Sequence, residues 1–116
     1  GDKKMNPDEL IAAFINVIQE QEYVFNEKAI QDIPSLQKNL TALDNLSSES
    51  LSEVIRQWYI NHESVRDAVL VTEREIAKVK KANPATQENT IENRYRIIQD
   101  ELPKLPEKKQ QSNQNS

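Results

Sequence analysis

Cysteine is absent from the chain, and the one glycine is its first residue. Without thiols there is no disulfide frame, no thiolate nucleophile and no zinc–thiolate site. Without internal glycine, tight hairpins built on Asn-Gly or Gly-Gly turns are disfavoured. So are phosphate-cradling loops, in which the backbone must close on the ligand. No apolar run approaches the roughly 18 residues of a membrane-spanning helix. Basic charge is also short: 15 Lys and Arg against 19 Asp and Glu leave a net charge of −4. That balance lacks the footprint of nucleic-acid binding. What these absences leave is an all-α fold.

The 116 residues suffice for one domain. A domain of this size buries roughly two-thirds of its unfolded surface, enough for one core but not for a deep enclosed site. Residues 1–5, GDKKM, read as a cleavage scar or flexible N-terminus, since Met5 lies inside the chain. Residues 6–106 form the helical domain. Residues 107–116, EKKQQSNQNS, carry no apolar side chain to offset ordering entropy and read as a disordered tail.

Four helical segments follow from apolar spacing. In the first, Asn6 suits an N-cap and Pro7 the first helical position, with Asp8 and Glu9 at the positive end of the dipole. Leu10, Ile11, Phe14, Ile15, Val17 and Ile18 then give an apolar face wider than a surface helix needs, on a helix expected to run to about Phe25. In the second, Ala29, Ile33, Leu36, Leu40 and Leu43 repeat at helical spacing. Pro34 places its main start near Ile33, with Asp32 as cap.

The third segment is the longest. Ser50 and Glu53 match a capping box, and Leu51, Ile55, Trp58, His62, Val65, Val69, Thr72, Ile76 and Val79 continue one seam. The spacing predicts a single helix over about residues 50–81, with a break near Asn61 as the alternative. The fourth repeats the pattern through Ile91, Tyr95, Ile98, Leu102 and Leu105, and Pro103 and Pro106 end its helix near Leu102 or sooner. Short polar connections favour antiparallel neighbours, so the predicted architecture is an antiparallel four-helix bundle with one long helix.

The stretch RQWYINH, residues 56–62, holds the only tryptophan and the only histidine. Trp58, Tyr59 and His62 are the candidate contact residues for a partner, because aromatic side chains concentrate at interface hot spots. The competing reading puts Trp58 in the core and His62 in the packing seam, buried and uncharged. Were His62 turned outward, Glu63 and Asp67 are the carboxylates it would meet. Tyr59 lies one step off the seam and is the better candidate for an exposed contact.

Catalytic constellations are not legible. A ferritin-like di-metal site needs two Glu-x-x-His pairs. Here the residue three before His62 is Tyr59, and no second histidine exists. An EF-hand starting at Asp44 fails where Leu46 and Ile55 stand in place of oxygen ligands. Nothing suggests a nucleophile elbow or a carboxylate pair across a cleft. Glu73, Glu75 and Lys78 read as a solvated helix surface, with Glu75 and Lys78 paired at i,i+3. The sequons Asn39-Leu-Thr41 and Asn45-Leu-Ser47 read as accidental.

The expectation is a non-enzymatic helical domain with no cofactor and no metal, acting by contact with a protein partner. Its setting is expected to be the soluble part of an exported or membrane-anchored bacterial protein. A cytoplasmic adaptor module of a larger protein, or a bundle enzyme or metal-site protein, are the alternatives.

Overall fold

The computed structural model describes residues 6–82 and 90–107, with backbone alone over 79–82. Within them the chain is all-α, and no strand occurs among the described residues. The expectations for residues 1–5 and 108–116 fall outside the described residues.

The helices are α1 (Pro7–Glu20), α2 (Glu27–Gln31), α3 (Ile33–Thr41), α4 (Ser48–Tyr59), α5 (Glu63–Ala82) and α6 (Ile91–Glu101). A 3-10 turn, Glu22–Val24, follows α1. Among the described residues the second and third predicted segments each divide in two, and a further helical turn, residues 104–107, follows α6, so Glu107, expected to open the disordered tail, is helical.

Local chemistry sets most of the ends. Asn6 Oδ1 accepts from the N–H groups of Asp8 (2.9 Å) and Glu9 (3.4 Å), and Pro7 occupies the first turn. Asn26 caps α2 through the Ala29 N–H, and Thr90 caps α6 through the Asn93 N–H. The capping box of α4 lies three residues earlier than the spacing indicated. Ser50 N–H donates to Ser47 Oγ at 3.1 Å, and Ser47 N–H donates to Ser50 Oγ at 3.0 Å. Glu53, the residue expected to close that box, instead accepts from Arg56 and Gln57. Helix α1 stops at Glu20, five residues short of Phe25. Gln21 Nε2 donates there to Asn16 and to Thr72 of α5, which fixes the turn.

Helix α1 is the centre of the domain and packs against α4, α5 and α6. This explains its wide apolar face. Leu10, Ile11, Ala13, Phe14, Val17 and Ile18 are all buried, each turned toward one of several neighbours. Leu51, Ile55 and Trp58 of α4, Val65 and Val69 of α5, and Ile98 of α6 complete the core with Phe25, Leu36 and Leu40. Polar ties surround it. Asp8 accepts from Ser48 Oγ at 2.7 Å and lies 3.6 Å from Arg94. Tyr95 Oη donates to the Leu40 carbonyl at 3.1 Å, linking α6 to α3.

The single helix predicted over residues 50–81 is corrected to two. Backbone bonds shorten to turns at Asn61 N–H to Trp58 O (3.3 Å) and His62 N–H to Tyr59 O (2.8 Å). Neither glycine nor proline causes the break. Packing does: α4 and α5 both lie on α1, so the chain must bend between them to place two apolar faces on one central helix. A straight helix of that length, roughly 45 Å at 1.5 Å per residue, would carry one end past the core.

Candidate functional site

The corner between α4 and α5 meets the corner between α2 and α3. Asp32 forms the second corner. Its N–H still bonds to the Ala29 and Lys28 carbonyls, while its own carbonyl accepts from Ser35 N–H (3.1 Å) and Leu36 N–H (3.4 Å). Pro34 in the first turn of α3 enforces this change of helix, since it has no N–H to continue the ladder. Asp32 was expected to cap α3 with its side chain, but it makes no such bond. Its carboxylate is turned instead toward the other corner.

There His62 Nε2 lies 2.7 Å from Asp32 Oδ2. At that distance from a carboxylate oxygen the ring nitrogen carries a proton and donates it. The His62 side chain is 5% exposed and that of Asp32 is 41% exposed. Trp58 binds the same residue from one helical turn earlier, its Nε1–H donating to the Asp32 carbonyl at 3.1 Å. The indole stacks with Phe25 (centroids 6.3 Å apart) and meets Phe14 edge-on (6.5 Å). The imidazole lies against the indole at 4.4 Å. One aromatic column therefore runs from the core to the surface and ends at His62.

Above it opens a cleft of about 490 Å³, lined by Lys28, Gln31, Asp32, Asn61 and His62. No hydroxyl or thiol lines it, so the imidazole faces no such nucleophile to activate. What the arrangement can do is hydrogen-bond. Among the described residues, His62 Nδ1 has no hydrogen-bond partner, and no fully buried side-chain nitrogen lacks one. Nδ1 therefore meets solvent, on a residue that borders the cleft. Among the described residues no group of three or more His, Asp or Glu is placed to hold a metal ion.

The contact residues expected from the sequence come together, but not as a surface. Trp58, Tyr59 and His62 are all buried. The expectation that Tyr59 is exposed is corrected: its helix packs on both α1 and α3, which covers the neighbouring face as well as the seam. Seam placement of Trp58 and His62 agrees with the burial. The carboxylate that meets His62 is neither Glu63 nor Asp67, which both pair with Arg66. The sequence reading missed Lys28, Gln31 and Asp32 as site residues. The available signal was a helix break at Asp32 carrying an acidic residue between Ile30 and Ile33. Among the described residues the large apolar side chains left exposed are Tyr23, Ile60 and Val71.

A second polar cluster lies inside the domain. Glu73 of α5 is 8% exposed, contrary to the solvated surface expected of it. Burial pushes its carboxyl above the usual carboxylate range, and the Glu9 carboxylate adds to the push. Burial also raises the Tyr59 hydroxyl, with Glu73 as the next contributor.

The chain matches no known protein family, no curated protein and no solved structure. Among the described residues no helix is long and apolar enough to cross a membrane.

Proposed function

We propose that this domain is a non-catalytic interaction module that engages a protein partner through the cleft at the two helix corners. The observation that carries the reading is that polar groups at this cleft are left unused by the fold. Lys28, Gln31 and Asn61 have no side-chain partner among the described residues, while the floor beneath them is pinned by the Asp32–His62 and Asp32–Trp58 bonds. A rigid floor under unpaired donors suits recognition, because little ordering entropy is spent on binding. Ile60, 49% exposed and next to Asn61 in the chain, offers an apolar side chain to the same partner.

The test is site-specific photo-cross-linking in cells of the source organism. A cross-linking residue at Gln31 or Asn61 should yield a discrete adduct, and one at Val71, exposed and outside the cleft lining, should not. The partner identified is then titrated against the purified domain, where Asn61→Arg should weaken binding without changing the melt. Adducts of equal yield from Val71, or unchanged affinity in Asn61→Arg, would remove the cleft from the interface.

A further inference from the structure

We infer that α6 is a releasable strap: with the helical turn after it, it opens as one unit while α1 to α5 stay folded. This opening is independent of the cleft, since neither the cleft lining nor the Asp32 bonds beneath it include a residue of α6.

The first observation is that α1 to α5 hold a core of their own. Among the described residues, every buried apolar side chain except Ile98, Leu102 and Leu105 lies between residues 10 and 69. The column of Phe14, Phe25 and Trp58 draws nothing from α6. The second is where α6 is fastened. Its main packing is on α1. The Arg94 guanidinium donates to the Asp8 carbonyl at 3.3 Å and lies 3.6 Å from the Asp8 carboxylate, at the start of α1. Tyr95 Oη donates to the Leu40 carbonyl at 3.1 Å, and Gln99 Nε2 reaches Thr41 Oγ1 at 3.5 Å, both at the end of α3. The third is that α6 brings its own cap. Thr90 Oγ1 accepts from the Asn93 N–H at 3.1 Å, so that donor needs no acceptor from the rest of the domain.

What α6 leaves behind decides how it opens. Each polar group it releases on α1 and α3 keeps another partner. The Asp8 carboxylate keeps Ser48 Oγ at 2.7 Å. The Leu40 carbonyl keeps the Leu43 N–H at 3.2 Å, and Thr41 Oγ1 still donates to the Gln37 carbonyl at 2.8 Å. No buried polar group is therefore orphaned, which removes the usual penalty for lifting one element off another. The fastening is also open to water, with the Asp8 side chain 55% exposed. Elements with few buried apolar side chains and water-accessible bonds open below the free energy of global unfolding. Among the described residues only the turn at 104–107 follows α6, so no other element has to move. Lifting α6 uncovers the side of α1 on which it packs, while the Asp32–His62 corner stays closed.

The experiment is native-state hydrogen exchange of the isotopically labelled full chain, read by NMR in rising urea below the unfolding transition. The amides of Ile97, Ile98 and Gln99 should exchange through one shared opening. It should be faster than exchange at Phe14 and Val17 of α1 and depend less on urea, because less surface is exposed. Two variants separate the openings. Trp58→Phe alters ring contacts and a hydrogen bond that all lie outside α6. It should speed exchange in α1 and leave α6 unchanged. Arg94→Ala removes a bond that is lost in either opening, and should speed both about tenfold, the worth of one charge-assisted hydrogen bond. Equal protection of α1 and α6 in the parent, a measurement that needs no variant, would overturn the strap. Equal acceleration of both by Trp58→Phe would do the same, since α6 would then exchange only by unfolding of the whole domain. Protection that declines residue by residue towards Glu101 would mean fraying of the helix end and not release of a unit. No acceleration in Arg94→Ala would remove the Asp8 contact from the fastening.

Discussion

Asp32 and His62, thirty residues apart, are joined by a 2.7 Å hydrogen bond that ties one helix corner to another. The pair is asymmetric. The imidazole is enclosed, whereas the carboxylate is partly open to water. Removing either partner therefore has unequal consequences. Asp32→Ala leaves an enclosed N–H without an acceptor and should cost about 1–3 kcal/mol. His62→Leu leaves a carboxylate that water can reach and should cost less. Asp32→Asn retains a carbonyl acceptor of the same size and should recover most of the loss. Urea unfolding of the three variants and the Asp32→Ala/His62→Leu double mutant gives the coupling. Equal losses in both single variants, with no coupling, would show that the bond contributes nothing to stability.

Trp58 should be the most costly single truncation at this corner. It packs against Phe14 and Phe25, lies under His62 and donates to the Asp32 carbonyl. Trp58→Ala removes all four contacts and should cost about 3–5 kcal/mol. Trp58→Phe keeps much of the ring packing. The hydrogen-bond part of its loss should be only about 1 kcal/mol, because the Asp32 carbonyl still accepts from Ser35 and Leu36. Far-ultraviolet circular dichroism follows both variants, since each lacks the only tryptophan. A phenylalanine variant as unstable as the alanine one would place the stabilisation in the indole N–H and not in packing.

The helical class was legible because no internal glycine and four sets of apolar spacing pointed the same way. The caps at Asn6 and Pro7 were legible too, since capping is local chemistry. The break at residues 60–62 was legible only as an alternative, near Asn61. The seam Ile55, Trp58, His62, Val65 continues through it without a change of period, so local pattern favours one helix. The bend is imposed by α1, a partner far away in sequence. The same limit hid the site. Periodicity placed His62 in the seam, but only the fold brings Lys28, Gln31 and Asp32 beside Asn61. Glu73 misled for a related reason. It is one step from Thr72 on the seam, and the width of the buried face depends on how many helices α5 touches.

Glu73 gives the domain a pH dependence of definite sign. Its carboxyl is raised by burial and by Glu9, so the folded state holds its proton to higher pH than the unfolded chain does. Between the two values the folded state binds more protons, and stability falls as pH rises. The contribution is fully present below the ordinary carboxylate value of 4.5 and is lost as pH climbs through the raised one. Above the raised value the ionised, desolvated side chain is a burden. Glu73→Gln should therefore raise the melting temperature at pH 7 and have little effect at pH 4, flattening that part of the curve. Glu53, lowered by hydrogen bonds from Gln57 and Arg56, acts with the opposite sign, but it sits on the surface and its effect is small. A Glu73→Gln variant less stable than the parent at pH 7 would mean that the charged form is held by a favourable partner.

The corner between α4 and α5 can be tested by a substitution that a continuous helix would not tolerate. Proline inside a helix removes a backbone bond and clashes with the preceding turn, at about 3 kcal/mol or more. At the first position of a helix it costs little, because that N–H has no intrahelical acceptor and the fixed φ suits the helix. Glu63 is the first residue of α5, and its N–H has no acceptor among the described residues. The side chain lost is an exposed carboxylate 3.5 Å from Arg66, an ion pair worth little at the surface. Arg66 keeps Asp67 at 3.1 Å. Glu63→Pro should therefore leave stability within about 1 kcal/mol of the parent, while Arg66→Pro, one turn further in, should lose about 3 kcal/mol or more. Thermal melts of the two variants decide it. If both lose alike, residues 60–62 are helical in solution, α4 and α5 are one rod, and the cleft formed against α2 at that corner does not exist in the form described.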